Sequence, residues 1–152
     1  MTGHELQALR RLFFYSVPEA AAQVGGVSER AWRLWESGAR SVPEDVAGRM
    51  GELLDLRRRV LTVAESRLSE TDGCTALVWY ETLDDWLTLA GRHPAQWRLS
   101  QSLAAELVAR HADRIALVPF VTPAYAAWLA GRTDSESLRA AWALAVAIGE
   151  RK

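Results

Sequence analysis

Residues 27–38 of the chain read VSERAWRLWESG and place two tryptophans, two arginines and two glutamates within twelve positions. Ser28 offers the side-chain oxygen that caps helix N-termini, and Gly38 allows the left-handed conformation that commonly ends a helix. The stretch therefore predicts a short helix from Glu29 to about Ser37.

A helix of 3.6 residues per turn sorts these side chains onto two faces. The apolar residues at i, i+3 and i+4 spacing predict the buried face: Ala31, Leu34 and Trp35. The other face carries the charged residues Glu29, Arg30 and Arg33, and Trp32 is expected at its flank. This pattern favours a helix whose inner stripe packs on its own domain and whose outer face meets solvent or a partner.

The tetrapeptide Ser-Val-Pro-Glu occurs on both sides of this helix, at Ser16–Glu19 and at Ser41–Glu44. In each copy serine can cap a helix, glutamate can reach back from the third helical position, and proline suits the first turn. The two copies predict a short helix from Val17 to about Val24 and a long one from Val42 to about Leu68. Thr2–Glu5 has the same capping-box spacing and predicts an N-terminal amphipathic helix.

Two short helices joined by a turn at Gly25-Gly26, with helices on both sides, form the helix-turn-helix pattern. Helical hairpins share this pattern, so it does not assign a function by itself. We predict a helix-turn-helix domain over residues 1–69.

In helix-turn-helix proteins the first turn of the second helix enters the major groove of DNA. Arginine is the commonest specific reader of guanine, and glutamate can accept from the amino group of cytosine. We therefore predict Glu29, Arg30 and Arg33 as base readers. Trp32 is predicted to touch a thymine methyl or a sugar. The alternative is an ordinary solvated face in which Glu29 and Arg33 form an i,i+4 pair.

Phosphate contacts in such complexes come from flanking polar side chains and helix N-termini. The candidates lie just before and just after the charged helix: Ser16, Gln23, Arg40 and Ser41. Arg40 is the preferred candidate because it follows the charged helix directly. Each of these residues is also explained as a polar side chain in solvent.

Residues 70–152 are predicted to form a second region of α+β character. The β-branched and aromatic run Cys74–Tyr80 predicts a strand, which needs a partner because a lone strand leaves backbone groups unpaired. One candidate partner is Ile115–Val121, which Pro119 would restrict to an edge, and the other is the same strand of a second subunit. Helices are predicted at 82–90, at 96–114, after Pro123 and at 135–149.

Composition narrows the function classes. With 18 basic and 19 acidic residues, the chain has no global charge that would attract a polyanion, so any nucleic-acid contact must be a local face. The single cysteine, Cys74, excludes an internal disulfide framework, and no signal peptide or membrane-spanning run is evident, so we expect a cytoplasmic protein. No catalytic motif, metal-ligand spacing or cofactor-binding motif stands out, so we predict neither catalysis nor a cofactor.

Five segments occur in the order ELQALRRLF, SVPEAAAQVG, VSERAWRLWESG, VPEDV and WRLSQSLAAEL. Together they resemble the YdiL-like helix-turn-helix family and, within it, anti-CRISPR-associated (Aca) repressors of phages and mobile elements. The resemblance covers about Gly3 to Asp113. It implies a lambda-repressor-like domain in a homodimeric repressor that binds inverted repeats in the promoter of its own operon. It also implies Arg30 and Arg33 as base readers, with Ser28 and Glu29 at the helix start, although the family commonly has an uncharged polar residue where Arg33 stands.

The C-terminal half holds five of the seven tryptophans, and aromatic residues are enriched at interface cores as well as in interiors. We assign the dimer contacts to five large side chains of this half: Leu77, Trp79, Trp97, Leu99 and Leu103. The alternative is that these residues fill the chain's own core. Two other functions stay open, namely an antitoxin-like protein-interaction module acting through Tyr125–Gly149, and RNA binding by the same arginine face.

Overall fold

The structure is a computed structural model and describes residues 1–70 and 73–150. It is mainly helical, with one small sheet of two strands. The N-terminal elements are α1 (Gly3–Leu12), α2 (Val17–Ala20) continuing into a π turn (Ala21–Gly25), α3 (Glu29–Glu36) and α4 (Glu44–Glu70). The C-terminal elements are β1 (Thr75–Trp79), α5 (Leu83–Leu87), a 3-10 turn (Pro94–Gln96), α6 (Trp97–Arg110), β2 (Ile115–Pro119), α7 (Thr122–Leu129) and α8 (Glu136–Glu150).

The predicted helix starts are confirmed at three caps. Thr2 and Ser16 each form a full capping box with the glutamate three residues later, at Glu5 and Glu19. Ser28 accepts a hydrogen bond from the backbone N–H of Ala31 at 3.3 Å and caps α3. Because each cap involves residues only three positions apart, these starts follow from local sequence.

The turn between α2 and α3 depends on one glycine. Gly26 has a φ of 62°, in the left-handed region that costs glycine little and other residues more. It ends the π turn that extends α2, and α3 begins three residues later. Helix α4 begins at Glu44, two residues later than predicted, and runs without interruption to Glu70.

The N-terminal helices enclose one apolar core. Its fully buried side chains include Leu6, Phe13, Trp32 and Met50, from α1, the loop after it, α3 and α4. The start of α1 lies directly against the end of α3, since a Cβ built on Gly3 would stand 2.2 Å from the carbonyl oxygen of Trp35. A side chain at this glycine would therefore force the two helices apart.

The core of the N-terminal helices also receives side chains from the C-terminal half. Ala95, Leu99 and Leu103, from the 3-10 turn and α6, belong to the same buried cluster. The division into domains at residues 69 and 70 stays a prediction. Four residues of the predicted second region, 71, 72, 151 and 152, lie outside the described residues.

The two strands pair with each other in parallel, with Thr75 opposite Ile115 and Trp79 opposite Pro119. The chain thus supplies the strand partner, which confirms the first of the two alternatives. Helix α6 lies in the connection between the strands, as parallel pairing requires a long crossover. Pro119 occupies the last paired position, where its missing N–H interrupts no further pairing.

A second core lies between the sheet and the last two helices. It is rich in aromatic side chains and includes Tyr80, Trp86, Phe120, Tyr125 and Trp142. Within residues 1–70 and 73–150, no helix is both long enough and apolar enough to cross a lipid bilayer.

Candidate nucleic-acid interface

Helix α3 presents a charged face to solvent. Glu29, Arg30 and Arg33 are all exposed, and Arg33 Nη2 lies 3.6 Å from Glu29 Oε2 across one helical turn. These two side chains are 64% and 52% exposed, so their pairing is worth only a few tenths of a kcal/mol and is easily exchanged. Among the described residues, no carboxylate or carbonyl group pairs with the Arg30 guanidinium. Within the described residues, the charged face therefore presents Arg30 without an ion pair and Arg33 in a weak ion pair with Glu29.

Trp32 is buried rather than exposed at the flank of the charged face of α3. Its side chain is fully buried, its indole N–H donates to Glu36 Oε1 at 2.7 Å, and its ring meets that of Trp35 edge-on. The prediction of Trp32 at the exposed flank, in contact with a base or sugar, is wrong. The reason is that Glu36 supplies an acceptor in the interior, so the indole N–H needs no water.

Glu36 is the centre of a buried polar network that sequence reasoning missed. Its carboxylate accepts from Arg10 Nε at 2.5 Å, from Arg10 Nη2 at 3.2 Å and from the Trp32 indole. Arg10 Nη1 also donates to the backbone carbonyl of Tyr15 at 2.8 Å. This network joins α1 and the loop after it to the last turn of α3. It therefore fixes the orientation of the helix that carries Arg30.

A signal for this network was present in the sequence. Arg10 falls at i+4 from Leu6 and at i−3 from Phe13, on the apolar side of α1. A charged side chain on an apolar face must find a partner of opposite charge, because an unpaired buried charge is costly. The sequence does not indicate which acidic residue of the chain is the partner of Arg10.

The pKa of Glu36 reflects two opposing effects. Burial raises it, but the hydrogen bonds from Arg10 and Trp32 and the charge of Arg10 lower it by more, so it lies below its ordinary value of 4.5. A carboxyl group with a lowered pKa in the folded state stabilises the fold above its unfolded pKa. That contribution is lost as the pH falls through the folded pKa.

We therefore expect the stability difference between the wild type and Glu36→Gln to depend on pH. The wild type should be more stable by a constant margin above about pH 5, and the margin should shrink as the pH falls below 4.5. Urea unfolding of both proteins from pH 7 to pH 3 measures this margin. Other acidic residues act in both proteins and cancel, so parallel curves for the two proteins would show that Glu36 is not the titrating group.

The predicted phosphate contacts fall into different environments. Arg40 and Ser41 are exposed in the loop after α3, and the Arg40 backbone N–H is fixed by the carbonyl of Leu34 at 3.0 Å. Ser16 is exposed at the start of α2, but its hydroxyl already donates to Glu19 Oε2 at 2.7 Å. Arg40 and Ser41 are therefore accessible to a phosphate, whereas Ser16 must exchange a capping bond to bind one, and all three contacts stay predictions.

Gln23 does not share the exposed face of α3. Its side chain lines a cleft of about 550 Å³ together with Leu53, Leu56 and His93, and its Oε1 is buried without a hydrogen-bond partner. The structure therefore places Gln23 away from Arg30 and Arg33 in a cleft, and its role as a phosphate contact stays a prediction. Gln23 lies in the π turn that ends α2, and the cleft it lines is shared with residues of α4 and the 3-10 turn.

Three of the five predicted dimer contacts belong to the chain's own cores. Trp97, Leu99 and Leu103 are 6%, 1% and 8% exposed, so they have no surface left for a second copy, and their assignment to the dimer interface is wrong. Leu77 and Trp79 are half-buried, and the Trp79 indole N–H donates to exposed Glu81 at 2.7 Å. Leu99 and Leu103 pack in the core of the N-terminal helices, and Trp97 packs in the aromatic core, contacts that helical periodicity alone cannot assign.

Within residues 1–70 and 73–150, no group of three His, Cys, Asp or Glu side chains converges as metal ligands do.

The fold and this face define a class: small, mainly helical proteins in which a short, internally anchored helix presents arginine to solvent. The chain belongs to the Aca2/YdiL-like family, whose family model matches residues 1–116. A relative named Aca2 repressor, from Pectobacterium phage ZF40, is 41% identical over 117 residues, which are 76% of this chain and all of that protein. The uncharacterized protein YdiL of Escherichia coli K12 is 26% identical over 117 residues, 76% of this chain and 99% of its own length.

Proposed function

We propose that the protein is a homodimeric transcriptional repressor that binds inverted repeats in DNA through a helix-turn-helix formed by α2 and α3. The observation that carries this proposal is the Arg30 side chain, which is exposed and unpaired within the described residues, on a helix that a buried ion pair holds in place. Membership of a family with a named repressor supports it.

The chemistry of the exposed face suits the major groove. Arg30 and Arg33 can each donate two hydrogen bonds to O6 and N7 of guanine, the commonest specific contact in protein–DNA complexes. Glu29 can accept from the amino group of cytosine, and Ser28 retains its hydroxyl donor while it caps the helix. Because α3 cannot rotate without breaking the Arg10–Glu36 pair, these groups reach the bases with little loss of conformational entropy.

Arg40 and Ser41 would contact the phosphates beside the groove and fix the register of α3. Such contacts carry affinity rather than sequence preference. A single short helix reads few base pairs, so two protomers related by a two-fold axis would read half-sites about 34–36 Å apart. This geometry matches an inverted repeat.

The repressor would act in the cytoplasm and regulate its own operon, which in a phage or mobile element is expected to include an anti-CRISPR or related gene. As the protein accumulates it occupies its operator and blocks polymerase. Selection of bound sequences from random pools of double-stranded DNA and of RNA tests the assignment. Recovery of an inverted repeat from the DNA pool supports it, and enrichment of RNA alone would replace DNA by RNA as the target.

We expect operator affinity to fall steeply with salt, because each neutralised phosphate releases counterions and adds roughly −0.9 to the slope of log K against log salt. Arg40→Ala should make this slope shallower by roughly 2 per dimer. It should also lower the affinity for operator DNA and the affinity for random DNA to a similar extent. Fluorescence anisotropy between about 50 and 200 mM salt measures both.

The matched control for Arg40 is Arg58→Ala, since Arg58 is 67% exposed on α4 and pairs with Asp55. This variant should keep the wild-type slope. An Arg40 variant with an unchanged slope would remove Arg40 from the set of phosphate contacts.

A further inference from the structure

A polar cleft lies between α4 and the π turn that ends α2. Its volume of about 550 Å³ is typical of small-molecule sites in proteins. One wall is a face of α4. The other wall is formed by two residues of the π turn and three in or beside the 3-10 turn: Gln23, Val24, His93, Ala95 and Gln96. We call this feature the Gln23 cleft.

The α4 wall of the Gln23 cleft is a continuous stripe. Its five residues have i, i+3, i+4, i+7 and i+10 spacing and share one side of the helix: Arg49, Glu52, Leu53, Leu56 and Arg59. The two arginines are ten residues apart, which corresponds to about 15 Å of helix. The wall therefore has a guanidinium group at each end and two leucines between them. Such a surface suits an elongated organic molecule better than a single ion.

The charges along the Gln23 cleft favour an anion, since two arginines line it against the single carboxylate of Glu52. Among the described residues, no group pairs with the Arg59 guanidinium. Arg49 pairs with Asp45 at 2.6 Å, but the two side chains are 46% and 67% exposed, so this pair is easily exchanged. Both guanidinium groups can therefore hold a carboxylate, phosphate or sulfonate through paired hydrogen bonds.

The wall opposite α4 adds neutral donors for the same anion. His93 Nδ1 accepts from the backbone N–H of Ala95 at 3.2 Å, so the neutral imidazole carries its proton on Nε2. The side-chain amide of Gln96 has no hydrogen-bond partner within the described part of the chain. Oxygen atoms of a ligand can accept from both groups.

The Gln23 cleft also contains an unsatisfied acceptor. Gln23 Oε1 is buried, and no donor among the described residues reaches it. An amide oxygen in this state is costly, because it has lost water and gained no hydrogen bond. A ligand with an N–H or O–H group supplies the missing donor once the side chain rotates into the cleft that it lines. The ligand therefore needs a donor as well as an anionic group.

We propose that the Gln23 cleft binds a small organic anion with an elongated apolar body and one N–H or O–H donor. Arg49 and Arg59 hold the anionic group, the donor pairs with Gln23, and the apolar body lies on Leu53 and Leu56. Bound there, the ligand contacts α4, the π turn and the 3-10 turn together. The site goes beyond the proposed function and does not depend on it.

The test uses two fluorescent dyes that differ by one charge. The first is anilinonaphthalene sulfonate, with its anilino N–H and its sulfonate at opposite ends of the naphthalene. The second is N-phenylnaphthylamine, which has the same rings and the same N–H but no sulfonate. We expect the sulfonate dye to bind the full-length protein at one site per chain, and fluorescence titration measures the dissociation constants of both dyes.

Three variants separate the contributions of charge and donor. Arg49→Gln and Arg59→Gln should each weaken binding of the sulfonate dye by about tenfold, because a hydrogen bond between charged groups is lost. Neither should change binding of the uncharged dye. Gln23→Leu should weaken binding of both dyes, since both carry the N–H group that pairs with Gln23.

The matched controls are Arg58→Gln and Arg67→Gln, which remove arginines of α4 that lie outside the Gln23 cleft. Arg67 lines a separate apolar cleft of about 430 Å³, and Arg59 lines both clefts. The comparison of Arg49→Gln with Arg67→Gln therefore decides which cleft holds the dye. Both control variants should bind the sulfonate dye as the wild type does, and circular dichroism confirms that every variant is folded.

Three results would overturn the proposed site: no saturable binding at millimolar sulfonate dye, wild-type affinity in Arg49→Gln, or a loss in Arg67→Gln equal to that in Arg49→Gln. Undiminished binding of both dyes by Gln23→Leu would contradict the pairing of the donor with Gln23. If Gln23→Leu does not fold, Gln23→Met makes the same test, because methionine keeps the length of the side chain and lacks the amide. No DNA enters these titrations, so their result and that of the operator experiments are independent.

Discussion

Replacing Arg30 by alanine is expected to abolish specific operator binding while leaving the fold and the dimer unchanged. A bidentate arginine–guanine contact is worth about 1–3 kcal/mol, so the loss at both half-sites of a dimer amounts to roughly 2–6 kcal/mol. Binding to random DNA should fall much less, because phosphate contacts supply most of it. Titration of operator and random duplexes at one fixed salt concentration measures the specificity ratio.

The fold should tolerate this substitution because the Arg30 side chain is exposed and makes no pairing within the described part of the chain. Arg58→Ala serves as the control for loss of one exposed arginine, since Arg58 lies on α4 and pairs with its helical neighbour Asp55. Wild-type specificity in Arg30→Ala would remove α3 as the reading helix. Equal losses in both variants would point to a general charge effect.

The second large effect is expected at Glu36, where alanine should destabilise the protein by about 3–5 kcal/mol. The substitution leaves the Arg10 guanidinium buried without its counter-charge and the Trp32 indole N–H without an acceptor. For a domain of this size each kcal/mol lowers the Tm by about 2–4 °C, so the Tm should fall by roughly 6–20 °C. Thermal and urea unfolding at pH 7 measure both quantities.

Glu29→Ala is the matched control, because Glu29 also pairs with an arginine on α3 but is 52% exposed. We expect a change within about 0.5 kcal/mol there. A double variant, Arg10→Leu with Glu36→Leu, should recover part of the lost stability, since it removes both buried charges together. A small effect of Glu36→Ala would mean that water replaces the ion pair and that the network does not hold α3 in place.

The helix starts of the N-terminal region were predictable because their causes are local. The capping boxes at Thr2 and Ser16 and the cap at Ser28 involve residues three positions apart. The same reasoning placed Arg30 and Arg33 on the outer face of α3, where the structure has them exposed. The charged face of α3 therefore follows from helical periodicity alone, without knowledge of tertiary contacts.

Helical periodicity did not predict the burial of a side chain that lies between the apolar face and the charged face of α3. Trp32 sits at the flank of α3, and its burial depends on Glu36 and on the packing of α1 against α3. The cleft around Gln23 likewise includes residues far away in sequence, on α4 and the 3-10 turn. Neither the burial of Trp32 nor the surroundings of Gln23 can be predicted from the local sequence.

By itself the sequence determined the approximate positions of the N-terminal helices, the caps at Thr2, Ser16 and Ser28 and the charged face of α3, because these depend on residues within one or two turns of each other. It also indicated the family, through five segments spread along the chain. Only the tertiary structure decided which charges are buried in pairs, as with Arg10 and Glu36, which lie 26 residues apart. It also decided that β1 pairs with β2 of the same chain and that α6 packs into the core of the N-terminal helices. Such contacts depend on which distant surfaces exclude water together, and no periodicity within a single helix or strand specifies its partner.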